Sequence, residues 1–468
     1  MPDTSTQTPF SDCAAIILAA GKSTRMKSRL PKPLHPLCGR PLTGHVVEAC
    51  RQAGIKRIIA VVGHEADAVK AGLGMGLEYA LQVNQLGSGD AAKSAQPLMS
   101  GFTGALLVLA GDIPLLRAET IGLVLEHHHK TGAKATLLTA VLDDPTGYGR
   151  IIRCANNTVA KIVEEKDASD NEKSIHECNP SIYCFDAPAL FAALGKITPA
   201  NAQGEYYLTD VIAILSRQGD RVEAIPAKES CEVLGVNTRV ELAEVGRIMR
   251  ERILKELMLS GVSIIDPTAT YVDITVKVGN DTVIEPNTHL IGNTFIGEEC
   301  VIGPSTRILN SAIGSRSTVL SSQIDSSQVG DDVRIGPYSN IRPNCQVANR
   351  ARVGDFVELK NTILHEKVSA SHLSYLGDAE IGEFTNIGAG TITCNYDGVK
   401  KHHTVIGKRV FIGTHTTLVA PVTIGDDAFT AAASSICEDV PPDALAIARC
   451  RQTNKLEWAK NRRDNLTK

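Results

Sequence analysis

An aliphatic residue recurs at six-residue intervals through much of the second half of the chain, from Val272 to Ile436. The residues in this register are Val272, Val278, Ile284, Leu290, Ile296, Ile302 and Ile308, then Val329, Ile335, Ile341, Val347 and Val353, then Ile381 and Ile387, and finally Ile406, Ile412, Leu418, Ile424 and Ile436. Neither the 3.6-residue period of a helix nor the two-residue period of a half-buried strand produces this spacing. Hexapeptide repeats are typical of a parallel β-helix, whose coils bury their core only by stacking on one another. We therefore predict a rod of three-sided coils.

Two interruptions of the repeat indicate where the coil is irregular. One follows Ile313, and a longer one spans about residues 358–380. Since an uninterrupted coil would keep the six-residue spacing, we expect a loop to leave the rod in the longer interruption.

The composition limits the class of protein. At 468 residues the chain is too long for one core, so two or three domains are expected. A net charge of −4 gives no reason to expect nucleic-acid binding. The polar N-terminus does not resemble a signal peptide, and no run of eighteen apolar residues predicts a membrane span. The twelve cysteines contain no CxxC pair, which favours reduced thiols in the cytoplasm.

Short apolar runs alternate with helical patterns in the N-terminal half. The runs are residues 14–20, 57–62, 105–109 and 135–141, and Leu42–Gln52 has the spacing of an amphipathic helix. Runs of this length bounded by glycine suit strands that are buried on both faces of a parallel sheet. The pattern predicts a doubly wound, Rossmann-like α/β domain, which binds ligands at the carboxyl ends of its strands.

Small and basic residues follow the first apolar run. Gly21-Lys22-Ser23-Thr24 mimics the end of a P-loop, but a P-loop would need glycine where this chain has Ile16. The remaining pattern is a tight turn with Lys22, Arg25 and Lys32 close together, and backbone N–H groups with cations suit phosphates. On charge alone, a tight turn with solvated basic residues remains an equal alternative.

Longer motifs identify the N-terminal half as similar to the sugar-nucleotide pyrophosphorylases. The motifs are LAAGKSTRM and LPKPLHPLCGRPL at residues 18–42, QVNQLGSG at 82–89, LAGDIP at 109–114, TGYGR at 146–150, VEEK at 163–166, Asn179, GEYYLTD at 204–210 and GVN at 235–237. The resemblance implies that Asp112, which alone could be a helix cap, holds a metal ion together with Asn237.

A helix predicted over residues 240–257 joins this half to the rod. The combination closely resembles, over residues 13–455, the bacterial bifunctional enzymes with N-acetylglucosamine-1-phosphate uridylyltransferase and glucosamine-1-phosphate N-acetyltransferase activities. The resemblance implies acetylation of glucosamine-1-phosphate by acetyl-CoA, then reaction with UTP to give UDP-N-acetylglucosamine for peptidoglycan and lipopolysaccharide synthesis. The expected domains are a disordered tail (1–10), a uridylyltransferase domain (11–239), a linker helix (240–260), and an acetyltransferase domain with a C-terminal tail (261–468), formed as a left-handed parallel β-helix.

The resemblance also implies the residues of the uridylyl site. Arg25 is expected to be catalytic, Asp112 and Asn237 to hold Mg²⁺, and Gln82, Gly87 and Ser88 to contact uracil. The residues expected to contact UTP or the UDP-sugar are Leu18, Ala19, Ala20, Gly21, Lys32, Gln82, Gly87, Ser88, Ala110, Gly111, Asp112, Gly149, Glu164, Asn179 and Asn237. Ala110 departs from many relatives, which have an aromatic residue there.

The residues of the acetyl site follow in the same way. His372 is expected to be the base that deprotonates the amine, since imidazole titrates near neutrality, and Glu358 is a weaker candidate for orienting it. Arg342, Lys360, Tyr375 and Asn386 are expected to bind the sugar phosphate. The positions expected to meet acetyl-CoA are Ala389, Asn395, Tyr396, Thr414, Ala432 and Arg449. Thr414 and Ala433 depart from the Ser and Gly that are common in the family, and Ala433 is expected to narrow the coenzyme channel.

Small-molecule substrates and a homotrimer are the partners that the resemblance implies. Two alternatives remain at this point. The N-terminal half could be a pyrophosphorylase for another sugar, with a catalytically inert rod that serves oligomerisation. Alternatively, the whole chain could be a structural subunit that regulates an active partner. His372 with Asn395-Tyr396-Asp397-Gly398 argues against an inert rod, and Asp112, Asn237, Arg25 and Lys32 together argue against a purely structural protein.

Overall fold

The structure, a computed structural model, describes Phe10 and residues 12–466. The tail predicted over residues 1–10 therefore lies almost entirely outside the described residues. The chain divides into two compact units between Met249 and Arg250.

In the described part of the N-terminal unit there are twelve strands and seven complete α-helices. The strands are β1 (Ala14–Leu18), β2 (Pro36–Leu37), β3 (Arg40–Pro41), β4 (Arg57–Val62), β5 (Glu78–Leu81), β6 (Ala105–Ala110), β7 (Ala135–Val141), β8 (Gly149–Arg153), β9 (Val159–Val163), β10 (Glu177–Asn179), β11 (Ile182–Asp186) and β12 (Val222–Pro226). The helices are α1 (Leu42–Gln52), α2 (Ala66–Leu73), α3 (Ser88–Ser94), α4 (Ala118–Thr131), α5 (Asp170–Lys173), α6 (Ala187–Leu194) and α7 (Asp210–Arg217). Helix α8 (Arg239–Leu259) begins in this unit and crosses the boundary.

The main sheet has the strand order β5-β4-β1-β6-β11-β7-β10-β8-β9, with β12 beside β7. Three of the predicted runs form β1, β4 and β6, which are parallel neighbours, and β5, which no run predicted, is parallel to β4. The fourth run forms β7, and the antiparallel β11 lies between β6 and β7. Successive residues of β1 enter different cores, with Ile16 packed on one side of the sheet and Ile17 on the other. The doubly wound α/β prediction is confirmed, and its sheet is mixed rather than wholly parallel.

The C-terminal unit is a left-handed parallel β-helix with three faces. Face one contains Ser263–Ile264, Val283–Ile284, Val301–Ile302, Thr318–Val319, Arg334–Ile335, Arg352–Asp355, Ser369–His372, Asn386–Ile387, Phe411–Ile412, Phe429–Thr430 and Leu445–Ala446. Face two contains Thr270–Val272, Thr288–Ile291, Arg307–Leu309, Gln323–Asp325, Asn340–Ile341, Glu358–Lys360, Tyr375–Gly377, Ile392–Cys394, Thr417–Val419 and Ser435–Ile436. Face three contains Lys277–Val278, Phe295–Ile296, Ala312–Ile313, Gln328–Val329, Gln346–Val347, Ile363–Leu364, Ala379–Ile381, Thr404–Ile406 and Val422–Ile424.

Stacked aliphatic side chains fill the interior of the rod. On face one, Ile284 pairs with Ile302, which pairs with Val319, and all three are fully buried. Burial of one such side chain contributes roughly 1.5–3 kcal/mol, so the stack supplies stability that no single coil could have.

The interruptions of the repeat are short sides of the coil. The inward residues are five apart at Ile308–Ile313, Val319–Ile324, Ile324–Val329, Leu359–Leu364 and Leu376–Ile381, and all of them remain buried. The loop expected over residues 358–380 is therefore wrong, because that segment keeps its strands on all three faces. The chain leaves the coil later, at the 395–403 loop between Ile392–Cys394 and Thr404–Ile406.

Beyond the last coil the chain forms an exposed helix, α9 (Trp458–Leu466), where only a C-terminal tail was expected. Among the described residues, no helix combines the length and the apolar character that crossing a membrane requires.

Candidate active sites

The residues that follow strands β1 and β6 form the floor of the predicted nucleotide site. The two strands are parallel neighbours, so their carboxyl ends meet at one edge of the sheet. There the N–H of Gly111 donates to the carbonyl of Leu18 at 2.9 Å, and the hydroxyl of Thr43 donates to the carbonyl of Gly111 at 2.7 Å. A Cβ on Gly111 would lie 2.8 Å from the Leu18 oxygen, so the approach requires glycine. Thr43 belongs to no motif, and sequence reasoning missed it.

The side chains of Asp112 and Asn237 converge on the ammonium group of Lys32. Lys32 Nζ donates to Asp112 Oδ2 at 2.5 Å and to Asn237 Oδ1 at 3.0 Å. The guanidinium of Arg25 donates to the same Asn237 oxygen at 2.9 Å. The backbone holds the two oxygen ligands together, because the N–H of Val236 donates to the carbonyl of Asp112 at 2.9 Å. The fold thus brings these four predicted residues to one point.

This pair of oxygen ligands fits a divalent cation. Mg²⁺ prefers carboxylate and carbonyl oxygens, and it needs few of them from the protein because it keeps several waters. In this structure the Lys32 ammonium marks the place that a cation shared by Asp112 and Asn237 would take.

A capping box at the start of α8 positions Asn237. Glu241 Oε2 accepts hydrogen bonds from the N–H groups of Asn237 at 2.5 Å and Thr238 at 2.8 Å. In return, the N–H of Glu241 donates to the hydroxyl of Thr238 at 3.2 Å. Sequence reasoning missed Glu241, although Thr followed three residues later by Glu is the signature of this motif.

Three cavities with shared walls contain the predicted nucleotide and sugar residues. One cavity, of about 330 Å³, is lined by residues that include Leu18, Ala19, Gly21, Arg25, Lys32, Ser88, Ala110, Gly111, Asp112 and Asn237. A second, of about 620 Å³, includes Leu18, Ala20, Gly21, Gln82, Gly87 and Ser88. A third, of about 520 Å³, includes Arg25, Ala110, Asp112, Gly149, Glu164, Asn179 and Asn237. Ala110 lines the first and third cavities, where a larger side chain would reduce the space.

The loop predicted to read the base is held by its own hydrogen bonds. Gln82 is buried, and its Nε2 donates to the carbonyl of Gly87 at 3.1 Å and to Asp90 at 2.8 Å. The Ser88 hydroxyl accepts from the N–H of Leu208 at 3.0 Å. Gly87 has a φ of +120°, and a Cβ there would lie 2.5 Å from the carbonyl oxygen of Tyr206. The loop is therefore set in position before any ligand binds.

Glu164 and Asn179, two of the residues expected to contact the UDP-sugar, line the third cavity. Glu164 accepts a hydrogen bond from the hydroxyl of Thr209 at 3.0 Å, and Asn179 donates to the hydroxyl of Tyr183 at 2.7 Å. Burial raises the pKa of the Glu164 carboxyl, and Asp167 and Asp210 add to the effect. A carboxyl of this kind can accept hydrogen bonds from sugar hydroxyls at neutral pH.

In the C-terminal unit, His372 ends a face-one strand, and it does not lie on a loop as the interrupted repeat suggested. It stands two residues after the inward-facing Ala370 and pairs in register with Asp355 of the preceding coil. The corner residue Leu373 follows it with a φ of +48°. The imidazole is therefore exposed at the corner between faces one and two.

Three predicted acetyl-CoA positions stack on His372 along this corner. On successive coils, the N–H of Gly390 donates to the carbonyl of His372, that of His415 to Ala389 at 2.7 Å, and that of Ala433 to Thr414 at 2.8 Å. We call His372, Ala389, Thr414 and Ala432 the corner column. With strands about 4.8 Å apart, the column extends for about 14 Å along the rod.

The departure at Ala433 lies at the end of this column. Ala433 has a φ of +60°, in the left-handed region that favours glycine. Its Cβ is therefore placed at an exposed corner beside Thr414 and Ala432, where the coenzyme channel is expected.

Face two presents the predicted phosphate residues beside the corner column. Arg342 Nη1 donates to Glu358 Oε1 at 2.9 Å, and Tyr375 pairs in register with Glu358 on the next coil. The carboxylate of Glu358 thus has Arg342 as its partner, rather than His372 as its suggested role would require.

An amide and carboxylate network surrounds Lys360. Asp378 accepts from Asn361 Nδ2 at 2.7 Å and Asn395 Nδ2 at 2.5 Å, and Lys360 Nζ lies 3.8 Å from it. Burial by itself would raise the pKa of Asp378, but these hydrogen bonds and the Lys360 charge together lower it. The hydroxyl of Tyr375 lies 3.5 Å from Asn395 Nδ2, over Gly377, which leaves room for the ring because it has no Cβ.

The 395–403 loop adds a second lysine that sequence reasoning missed. Lys401 contacts Lys360, whose side chain and charge lower the pKa of the Lys401 amine. The loop is closed by Asp397, which accepts from the N–H groups of Val399 and Lys400 and from His402 Nε2 at 2.6 Å. Two ammonium groups close together attract an anion. In the sequence, the consecutive lysines at 400–401 were the pattern that could have indicated this anion site.

The remaining predicted residues of the acetyl site are Asn386, Tyr396 and Arg449. Asn386 pairs with Ser369, three residues before His372 on the neighbouring strand. Tyr396 is exposed on the loop and donates to the carbonyl of Gly398, and Arg449 is exposed after the last face-one strand.

The chain matches two family models, one in each unit. The MobA-like NTP transferase domain matches residues 15–180, and the bacterial transferase hexapeptide (six repeats) matches residues 275–310 and 326–361.

Curated relatives match nearly the whole chain. The bifunctional protein GlmU of Geobacillus sp. (strain WCH70) is 51% identical over 441 residues, which cover 94% of this chain and 96% of the relative. The proteins of the same name from Bacillus velezensis and Listeria welshimeri are 51% and 48% identical, and each comparison covers at least 95% of both chains.

Proposed function

The chain belongs to the GlmU family of bifunctional proteins, and from that premise we propose which residues perform each of its two reactions. The enzyme makes UDP-N-acetylglucosamine in two steps. The hexapeptide unit acetylates the amine of glucosamine-1-phosphate, and the NTP transferase unit joins the product to the uridylyl group of UTP with release of pyrophosphate.

In the N-terminal unit, the sugar phosphate attacks the α-phosphorus of UTP, and pyrophosphate leaves. Asp112 and Asn237 would hold Mg²⁺, which when bound neutralises charge on the phosphate oxygens. Lys32 and Arg25 contact the same phosphate oxygens, because the Lys32 ammonium lies beside Asp112 and the Arg25 guanidinium lies beside Asn237. Gln82, Gly87 and Ser88 bind the base. Catalysis here is mainly positioning and charge neutralisation, as expected for phosphoryl transfer.

In the C-terminal unit, His372 removes a proton from the amine of glucosamine-1-phosphate as the nitrogen attacks the thioester carbonyl of acetyl-CoA. The tetrahedral intermediate collapses with loss of the coenzyme A thiolate. Arg342, Lys360 and Lys401 bind the sugar phosphate, and Tyr375 and Asn395 orient the sugar. The extended coenzyme lies along the corner column, whose length suits a long, narrow ligand.

We further propose that the active enzyme is a cytoplasmic homotrimer. The hexapeptide repeats favour assembly of rods, and the resemblance to the bifunctional enzymes implies three copies. Three copies of a 49.9 kDa chain would have a mass of about 150 kDa by light scattering. All twelve cysteines are free thiols, as in a reducing compartment.

The observation that carries the proposal is the convergence of Lys32, Asp112 and Asn237 in one unit and the stacking of the corner column on His372 in the other. Asp112→Asn should abolish pyrophosphate release from UTP and N-acetylglucosamine-1-phosphate and leave acetyl transfer near wild type. His372→Ala should do the reverse, because loss of a general base costs about 10²–10⁴-fold.

Two matched variants control for general damage. Asp143→Asn changes an exposed aspartate of the same unit, and His365→Ala changes a rod histidine that pairs with Glu380. Both should keep both activities. Equal loss of the two activities in either test variant would contradict the assignment of separate sites.

A further inference from the structure

Three metal-ligating side chains meet at the edge of the N-terminal unit's sheet opposite the nucleotide site. Asp12 Oδ1 lies 3.8 Å from Cys13 Sγ, and His129 Nε2 lies 3.7 Å from the same sulfur. One ligand atom from each residue lies within 4.8 Å of the other two. Neither reaction of the enzyme uses these residues.

The fold positions Cys13 and His129 through two separate elements, β1 and α4, and Asp12 is the residue before Cys13. Cys13 immediately precedes β1 and is buried, and His129 lies in the last turn of α4. The N–H of Cys13 donates to the carbonyl of Phe10 at 3.2 Å, which closes a turn through Asp12. The carbonyl of Asp12 lies so close to Gly104 that a Cβ on Gly104 would overlap it. The turn is therefore packed against the residue that immediately precedes β6.

We propose that Asp12, Cys13 and His129 form a binding site for a zinc-class divalent transition ion, with a water molecule as the fourth ligand. With ligand bonds of about 2.3 Å to sulfur and about 2.0–2.1 Å to nitrogen or oxygen, the edges of a tetrahedron that include sulfur are about 3.5 Å. The observed separations of 3.7 and 3.8 Å are close to that length. One thiolate, one imidazole and one carboxylate favour zinc over magnesium or calcium, which prefer oxygen alone.

The site lies apart from the chemistry of the nucleotide. Strand β1 separates Cys13 from the turn after Leu18, and five strand residues span about 16 Å. An ion here would connect the segment before β1 to the end of α4, so we assign it a structural role.

Binding would have to release the thiol proton. Burial, and then the Asp12 carboxylate, raise the pKa of Cys13 to about 12, so the thiol is protonated at neutral pH. Among the described residues, His129 and the buried thiol of Cys184 also face this sulfur. Because only the thiolate ligates, about one proton should leave per ion bound.

Cobalt(II) is the probe that tests the proposal, because thiolate ligation gives it a charge-transfer absorption in the near ultraviolet. The full chain carries Cys154→Ser, Cys394→Ser, Cys437→Ser and Cys450→Ser to remove the exposed thiols. It should bind one Co²⁺ with that absorption, and Zn²⁺ should displace the Co²⁺ and raise the melting temperature. A Co²⁺ ion held by Asp112 and Asn237 would lack the band, because those ligands contain no sulfur.

Variants of the three ligands decide the outcome. Cys13→Ser should remove the band, and His129→Gln and Asp12→Asn should each weaken Co²⁺ binding at least tenfold. His127→Gln, on the same helix but paired with Glu223, is the matched control and should bind as before. His129 and Asp12 are exposed, so their variants should fold. Absence of the band in the starting protein, its survival in Cys13→Ser, or equal weakening by His127→Gln would overturn the proposal.

Discussion

Glu241 links the fold of the N-terminal unit to Asn237, a proposed metal ligand, and its removal tests that link. Its carboxylate accepts hydrogen bonds from the N–H groups of Asn237 and Thr238 at the start of α8. The substitution Glu241→Ala removes both bonds and leaves Asp112 and Lys32 unchanged, and it also shortens a side chain that lines the third cavity.

The two hydrogen bonds of Glu241 allow the loss of stability and of Mg²⁺ affinity to be estimated. Loss of a helix cap costs about 1–2 kcal/mol, and a hydrogen bond to a charged group contributes about 1.5–3 kcal/mol. The N-terminal unit should therefore lose about 2 kcal/mol of stability while remaining folded. Residues that orient metal ligands typically change metal affinity by about 10–100-fold. We expect the Mg²⁺ concentration for half-maximal uridylyl transfer to rise by that factor, and kcat at saturating Mg²⁺ to recover largely.

The assay is pyrophosphate release as a function of Mg²⁺ concentration, with acetyl transfer measured on the same preparation. Acetyl transfer should be unchanged, and Glu241→Gln, which keeps one acceptor oxygen, should be intermediate. Glu119→Gln, in the first turn of α4 and exposed, is the matched control for the loss of a charge near a helix N-terminus. A lower kcat with an unchanged Mg²⁺ requirement would refute the reasoning, because Asn237 would then be placed without the cap.

Three further predictions address the sugar pocket, the acetyl site and the core of the rod. Because burial raises the folded-state pKa of Glu164, the ionised carboxylate destabilises the fold above that pKa. Glu164→Gln should therefore raise the melting temperature at pH 7–8, and this increase should vanish as the pH falls towards 4.5. An increase that stays constant with pH would refute this prediction. Gly377→Ala would place a Cβ against the Tyr375 ring and 2.7 Å from Asn395 Nδ2, so acetyl transfer should fall at least tenfold with uridylyl transfer unchanged. Ile302→Ala should lower the unfolding free energy of the rod by about 2–5 kcal/mol in denaturant titrations, whereas a loss below 1 kcal/mol would contradict a close-packed interior.

The distribution of the residues along the chain explains which features could be predicted. Strands β1, β4, β6 and β7 and helix α1 are local patterns of 5–11 residues, so their types and approximate bounds were recognisable. The antiparallel β11 was not predicted, because the direction of a strand depends on the connection that precedes it. The loop expected over residues 358–380 was wrong because a coil can lose one corner residue without changing which side chain faces inward. Thr43 and Lys401 act through partners distant in sequence, Gly111 and Lys360, and no motif contains them.

The sequence by itself determined that the back half coils with a six-residue side and that the front half is an α/β sheet, because both follow from which positions must be buried. Only the tertiary structure decided that His372, Ala389, Thr414 and Ala432 form one column, and that Lys32 Nζ lies between Asp112 and Asn237. These groups are 17 to 205 residues apart, and they meet only because backbone hydrogen bonds between coils and strands set the register.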